Sequence, residues 1–378
     1  MARPKDLARR QLISASEKGR ITLVLGAGVS IPRGIPNWND LAKLVWKDVF
    51  KGEPSPWARQ SKGSSPKELP QFLPIIFERA YHKLGDDARF FEVLKKHLYA
   101  EARFPLEDPA FRRSKEALAV LARLIVAEYK RGPRRRIETI ITFNADDFIE
   151  QAISRVAGRG NSSLPPSIAG SVARSTHRLL PATAVPIYHV HGFLPSDLFR
   201  SQRGPERMLV FSDLQYWSTS ATAFSFANRI VNTALSESVC VFIGLSMKDI
   251  NLLRWLALRT LDRDSDQFDF ERTRLLKWIA ERSEGADSDL LTMVEDFLRA
   301  GRRMPSVTLD KHFRRHFWIR PPATDPGGFL TDFLYHRGIQ AVDIDGWNDS
   351  SFQKLISGCF PKKALNGSRG RGPTEESS

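Results

Sequence analysis

The feature that most constrains this chain is a series of short, unbroken β-favouring runs. Each stops at a glycine or a polar residue, and helical patterns separate many of them. The first is Ile21-Thr22-Leu23-Val24-Leu25, ending at Gly26. Further runs cover 137–142, 187–190, 209–212, 239–244, 316–320 and 339–344. Runs without polar alternation suit strands buried on both faces, as inside a parallel sheet. Helical patterns such as Ala117 to Tyr129 and Ala221 to Ser236 lie between them. Strands alternating with helices predict an α/β fold, a doubly wound parallel sheet.

The sheet is not contiguous in sequence. Residues 3–19 read as a short amphipathic helix, and Leu41 to Phe50 as another. Residues 51–66 are polar and rich in Pro and Ser, residues 67–130 carry only helical signals, and residues 261–310 are charged and helical. The expected organisation is a discontinuous core over 20–50, 137–260 and 311–360, with helical insertions over 51–136 and 261–310. The Gly-, Ser- and Arg-rich stretch 361–378 is expected to be a disordered tail.

Composition narrows the function classes. With 57 Lys+Arg against 43 Asp+Glu the net charge is +14, which suits a polyanionic neighbour: nucleic acid, an acidic protein face or a phosphate-bearing ligand. Cys240 and Cys359 are the two cysteines, and no CxxC occurs, so no thiolate zinc site can be built. Isolated thiols fit a reducing compartment. The N-terminus has no signal-type apolar run, and no stretch approaches the ~20 apolar residues of a membrane helix. A soluble cytoplasmic protein is expected.

Four of these runs end in residues that can do chemistry. The first enters Gly26-Ala27-Gly28-Val29-Ser30, followed by Gly34-Ile35-Pro36-Asn37-Trp38. A strand, a glycine turn and a helix N-terminus can seat a phosphate on free N–H groups, although a plain strand-to-helix turn has the same signature. The second ends Thr142-Phe143-Asn144-Ala145-Asp146-Asp147. There Asn144 can orient water or a hydroxyl, and Asp146 can accept from an amide; either could instead cap the helix starting near Phe148. The third run contains His189 and His191, two residues apart on one face and without a nearby third metal ligand. His191 stands at the strand end, where a histidine can act as a general base; His189 reads as structural. A fourth run leads into Gly244-Leu245-Ser246-Met247-Lys248-Asp249, which alternatively is a helix start capped by Ser246.

GAGVSIPRGIP resembles the NAD-binding signature of sirtuins, and Thr142-x-Asn144-x-Asp146, His191-Gly192 and the Gly244–Ser246 loop follow in the sirtuin order. Asn37-Trp38-Asn39 departs from the Asp-Phe-Arg of sirtuin deacetylases and is similar to bacterial sirtuin-like NAD hydrolases of antiviral defence. The resemblance implies a Rossmann-like core with NAD as substrate and no zinc. It assigns Asn144 and His191 as catalytic. Gly26, Ala27, Gly28, Ser30, Asp146, Gly244, Ser246 and Asp249 become the residues that bind the nucleotide. It implies cleavage of NAD to nicotinamide and ADP-ribose, linear or cyclised. Such an enzyme is expected to be gated, through a homo-oligomer, or through a HerA-type DNA-translocating ATPase partner as in relatives of this size.

Two other activities stay open: a deacylase or ADP-ribosyltransferase on the same fold, and a non-catalytic nucleic-acid-binding or scaffold subunit. The missing zinc cysteines argue against the first. The basic runs 131–136 and 311–316 bear on the second. We read them as a solvated face or a protein-docking surface ahead of direct nucleic-acid binding, because no base-reading motif accompanies them.

Overall fold

Six parallel strands form one sheet in the order β3-β2-β1-β4-β5-β6. They are β1 (Ile21–Leu25), β2 (Ile137–Thr142), β3 (Ile187–His189), β4 (Val239–Ile243), β5 (His316–Arg320) and β6 (Ile339–Asp343). The structure is a computed structural model, and it describes residues 4–59, 73–158, 186–198, 209–221, 225–260, 316–348 and 350–361. The expected insertion 261–310 and all of the expected tail but Pro361 lie outside these residues.

Residue alternation along each strand explains the layering. Leu23 and Leu25 of β1, Val241 and Ile243 of β4, and Phe317 and Ile319 of β5 enter one apolar cluster. Val24, Cys240, Phe242 and Trp318, pointing the other way, enter a second. Helices α1 (Pro4–Lys18), α2 (Trp38–Val49), α3 (Leu73–Leu84), α4 (Asp87–Leu98), α5 (Ala117–Tyr129) and α6 (Phe148–Ala157) contribute to the first cluster. Helices α8 (Phe226–Glu237) and α9 (250–260) contribute to the second. Both faces are covered, which is why the strands read as continuous apolar runs. The result is a Rossmann-like α/β fold. Helices α7 (Asp213–Ala221), α10 (Phe329–His336) and α11 (Ser350–Cys359) complete the described elements.

Two expectations are corrected. The run 209–212 is not a strand. Its apolar side chains are buried, yet among the described residues its tie to the sheet end is one bond, from Val210 N–H to the His191 carbonyl (2.9 Å). Burial selected the residue types without a ladder to pair with. The pattern expected as one helix from Ala221 to Ser236 belongs to two, because the Ser225 side chain accepts from Asn228 N–H (3.3 Å) and starts α8 afresh. A smaller difference is that α2 begins at Trp38, where Asn37 caps the Asp40 N–H (3.0 Å).

The basic run 131–136 is not a uniform surface patch. Arg136 is buried: its guanidinium and backbone N–H both bind Glu128 (2.7 and 2.6 Å), and it lies over the Phe360 ring. Arg136 therefore ties α5 to β2 and belongs to the core.

Candidate active site

In an open α/β sheet, ligands bind beyond the carboxyl ends of the strands where the strand order reverses. That point falls between β1 and β4, which pair in register from Ile21–Val239 to Leu25–Ile243. The residues singled out from sequence gather at this end.

The glycine turn is closed more tightly than a free phosphate loop. Gly26 N–H donates to the Ile243 carbonyl (3.0 Å) and Gly28 N–H to the Gly244 carbonyl (2.8 Å). Val29 and Ser30 N–H donate back to Gly26 and Ala27. Of the N–H groups of residues 26–30, that of Ala27 alone has no hydrogen-bond partner among the described residues. The turn continues into short 3-10 segments, not directly into an α-helix. A Cβ on Gly28 would lie 2.8 Å from the Gly244 Cα, so this glycine is required by the approach of two backbones. Gly244 itself has φ +70°, the left-handed region.

Asn144 is fixed at three points. Its N–H donates to Thr142 Oγ1 (3.1 Å), and its Nδ2 donates to the Gly26 carbonyl (3.2 Å) and Ser30 Oγ (3.3 Å). A flipped amide would set Oδ1 against the Gly26 carbonyl, so the network itself fixes the orientation. Oδ1 remains as an acceptor with no partner among the described residues.

Asp146 takes the capping reading, holding the first residue of α6. Its Oδ1 accepts from Phe148 N–H (3.0 Å), which starts α6, and from Ser30 Oγ (3.1 Å). Burial pushes its carboxyl up to about 7, against the bond from Phe148 N–H; the charge of Asp147 adds to the rise.

His191 is buried, and neither ring nitrogen has a hydrogen-bond partner among the described residues. It sits edge-on to Phe143 (ring centroids 4.8 Å), Tyr216 (5.4 Å) and Trp38 (6.2 Å). Its nearest charge is Asp249, with Nε2 3.7 Å from Oδ2. Burial holds its pKa below the ordinary 6.5, partly offset by Asp249. The ring is thus neutral near pH 7, with a nitrogen able to take a proton.

Asp249 does more than the sequence suggested. Its Oδ1 accepts from Leu252 N–H (2.9 Å) and caps helix α9, and its Oδ2 accepts from Tyr216 Oη (3.1 Å). Asp249, not Ser246, is the helix cap. Ser246 is exposed, and its Oγ lies 3.4 Å from Lys248 N. Sequence reasoning missed Tyr216, which lies on α7 and carries no motif, and the Glu150 partner of His189 described below. Among the described residues no three His, Cys, Asp or Glu side chains gather to hold a metal ion. No described helix is long and apolar enough to cross a membrane.

A family model described as a SIR2-like domain matches residues 138–300. The match contains Asn144, Asp146, His191 and the 244–249 loop, and leaves the glycine turn outside it. It supports a sirtuin-like relationship, and SIR2-like domains are NAD-dependent enzymes. No curated protein matches the chain.

Proposed function

We propose that the protein is an NAD glycohydrolase that releases nicotinamide and ADP-ribose, acting in antiphage defence through NAD depletion. The observation that carries this reading is His191, a neutral imidazole whose ring nitrogens have no hydrogen-bond partner among the described residues, enclosed by aromatic rings at the strand ends where Asn144 Oδ1 likewise has none. A polar group buried without a partner costs about 1–3 kcal/mol, so a site that keeps one has a use for it.

Each group has a task. The Ala27 N–H and the exposed Ser246 hydroxyl are donors for the phosphates or ribose. Asn144 Oδ1 accepts from a ribose hydroxyl or from water. Asp146 accepts from the nicotinamide carboxamide. The bond between ribose C1′ and the ring nitrogen breaks, and its electron pair neutralises the pyridinium, so nicotinamide departs without a strong acid. Water adds to C1′ while His191 takes its proton. Water as acceptor fits a chain with no zinc-bearing cysteine module. We extend the proposal to gating by self-assembly or by a HerA-type DNA-translocating ATPase.

The test is nicotinamide release from NAD by the pure protein, with and without DNA and such a partner, for wild type, Asn144→Ala and His191→Ala. Activity in the wild type and none in either folded variant is expected. Near wild-type turnover by either variant would overturn the assignment.

A further inference from the structure

His189, two residues before His191, lies on the opposite side of the catalytic question. Its side chain is fully buried, as is that of Glu150 on α6. Nδ1 is 2.9 Å from the backbone carbonyl of Asn144, and Nε2 is 2.7 Å from Glu150 Oε1. A carbonyl can only accept, so Nδ1 carries a proton. The ring therefore bridges a helix carboxylate to the peptide that follows Asn144, and the Phe193 ring packs beside it (4.4 Å).

We infer that His189, bridged to Glu150, is a positioning residue for the reaction: it clamps the Asn144 carbonyl and so aims Asn144 Oδ1. This rests on the function proposed above. With the N–H on Thr142, the carbonyl on His189 and Nδ2 on Gly26 and Ser30, every other polar group of Asn144 is tied down, and only Oδ1 points free. The Glu150 carboxylate has one oxygen on His189 and a second without a hydrogen-bond partner among the described residues, an expensive arrangement for packing alone. Its effect is on the ring's protons. Burial by itself would lower the His189 pKa, but the charge and hydrogen bond of Glu150, the Asn144 carbonyl and the charge of Asp146 outweigh it, and the net direction is up. With Nδ1–H on the Asn144 carbonyl and Nε2 on Glu150, the ring is held at both ends. Misplacing a reacting group by about 1 Å can cost about a hundredfold in rate.

The variants are His189→Leu, Glu150→Ala and Glu150→Gln, assayed for kcat, for NAD affinity by calorimetry and for thermal unfolding. Glutamine keeps a hydrogen-bond partner on Nε2 and so holds the ring at both ends, whereas alanine leaves it held only at Nδ1. We expect His189→Leu and Glu150→Ala to lose roughly ten- to a hundredfold in kcat. NAD affinity should stay within about threefold, and Glu150→Gln should recover most of the rate. If His189→Leu does not fold, the Glu150 pair decides. A folded His189→Leu with wild-type kcat, or a Glu150→Gln no faster than Glu150→Ala, would overturn the inference alone. Absence of nicotinamide release by the wild type in every condition would instead overturn the function reading and the inference with it.

Discussion

Replacing Asp146 by Asn should stabilise the protein, and increasingly so as the pH rises. Asp146 is 3% exposed, and its carboxyl is raised from 3.8 to about 7 in the folded state. A group whose folded pKa is raised favours folding fully below its unfolded pKa, and that contribution is lost as the pH climbs through the folded value. The window here runs from about 4 to about 7. About 3 pKa units at ~1.4 kcal/mol each give a loss of about 4 kcal/mol by pH 8. Asparagine keeps an Oδ1 for Ser30 and Phe148 and never ionises, so it escapes the loss. His191, whose pKa Asp146 does not shift, titrates in both proteins and cancels in the comparison. Urea unfolding of wild type and Asp146→Asn at pH 5 and pH 8 measures the gap, which should widen by roughly 2–3 kcal/mol between them. A gap that stays constant, or an Asn variant that is the less stable at pH 8, would refute the argument that burial dominates this carboxyl.

Other outcomes follow from the same geometry. The rate of nicotinamide release should fall on the acid side with an apparent pKa below 6.5, as His191 gains its proton, and a pH–rate profile reads this. Gly28→Ala should lose about 1–3 kcal/mol in urea unfolding because its Cβ meets the Gly244 backbone at 2.8 Å. Arg136→Ala should lose about 2–4 kcal/mol, because buried Glu128 keeps only the residue-136 N–H and the more distant Arg131 (3.7 Å), whereas Arg134→Glu on the exposed turn should stay within about 0.5 kcal/mol; thermal unfolding distinguishes them. Tyr216→Phe should keep the fold and move the acid limb of the rate profile, since it removes the hydroxyl that binds Asp249 beside His191.

How far the sequence carried this picture depends on the kind of signal. Buried parallel strands announce themselves by composition, so β1, β2, β4, β5 and β6 were legible nearly to the residue. The 209–212 run misled because burial alone demands Leu, Val and Phe, and composition does not say whether a ladder accompanies it. Asn144, Asp146 and His191 were legible because they leave strand ends. Their tuning was not. Tyr216 and Glu150 reach the site from helices, where a polar residue reads as solvent-facing. Glu150 stands among six consecutive buried residues of α6, a pattern that periodicity alone does not foretell. Arg136 shows the same limit: a base in a basic run reads as surface until its partner Glu128, eight residues earlier, is seen beneath it.

The place of β1 in the sheet bears on how this site can come into being. β2 and β4 do not touch; each pairs with β1, which lies between them. The region matched as a SIR2-like domain begins at residue 138, so it supplies Asn144, His191 and Asp249 but not the strand that holds their supports together. A fragment cut to those limits would leave two inner strands with open edges, prone to pair with other chains. In the intact chain, β1 must wait for partners more than a hundred residues later in sequence, at Ile137 and at Val239. Closing such long loops before any ladder rewards them makes folding slow. β1 emerges before both of its partners during synthesis, and the residues of the candidate site come together only once β4 and the 244–249 loop have been made.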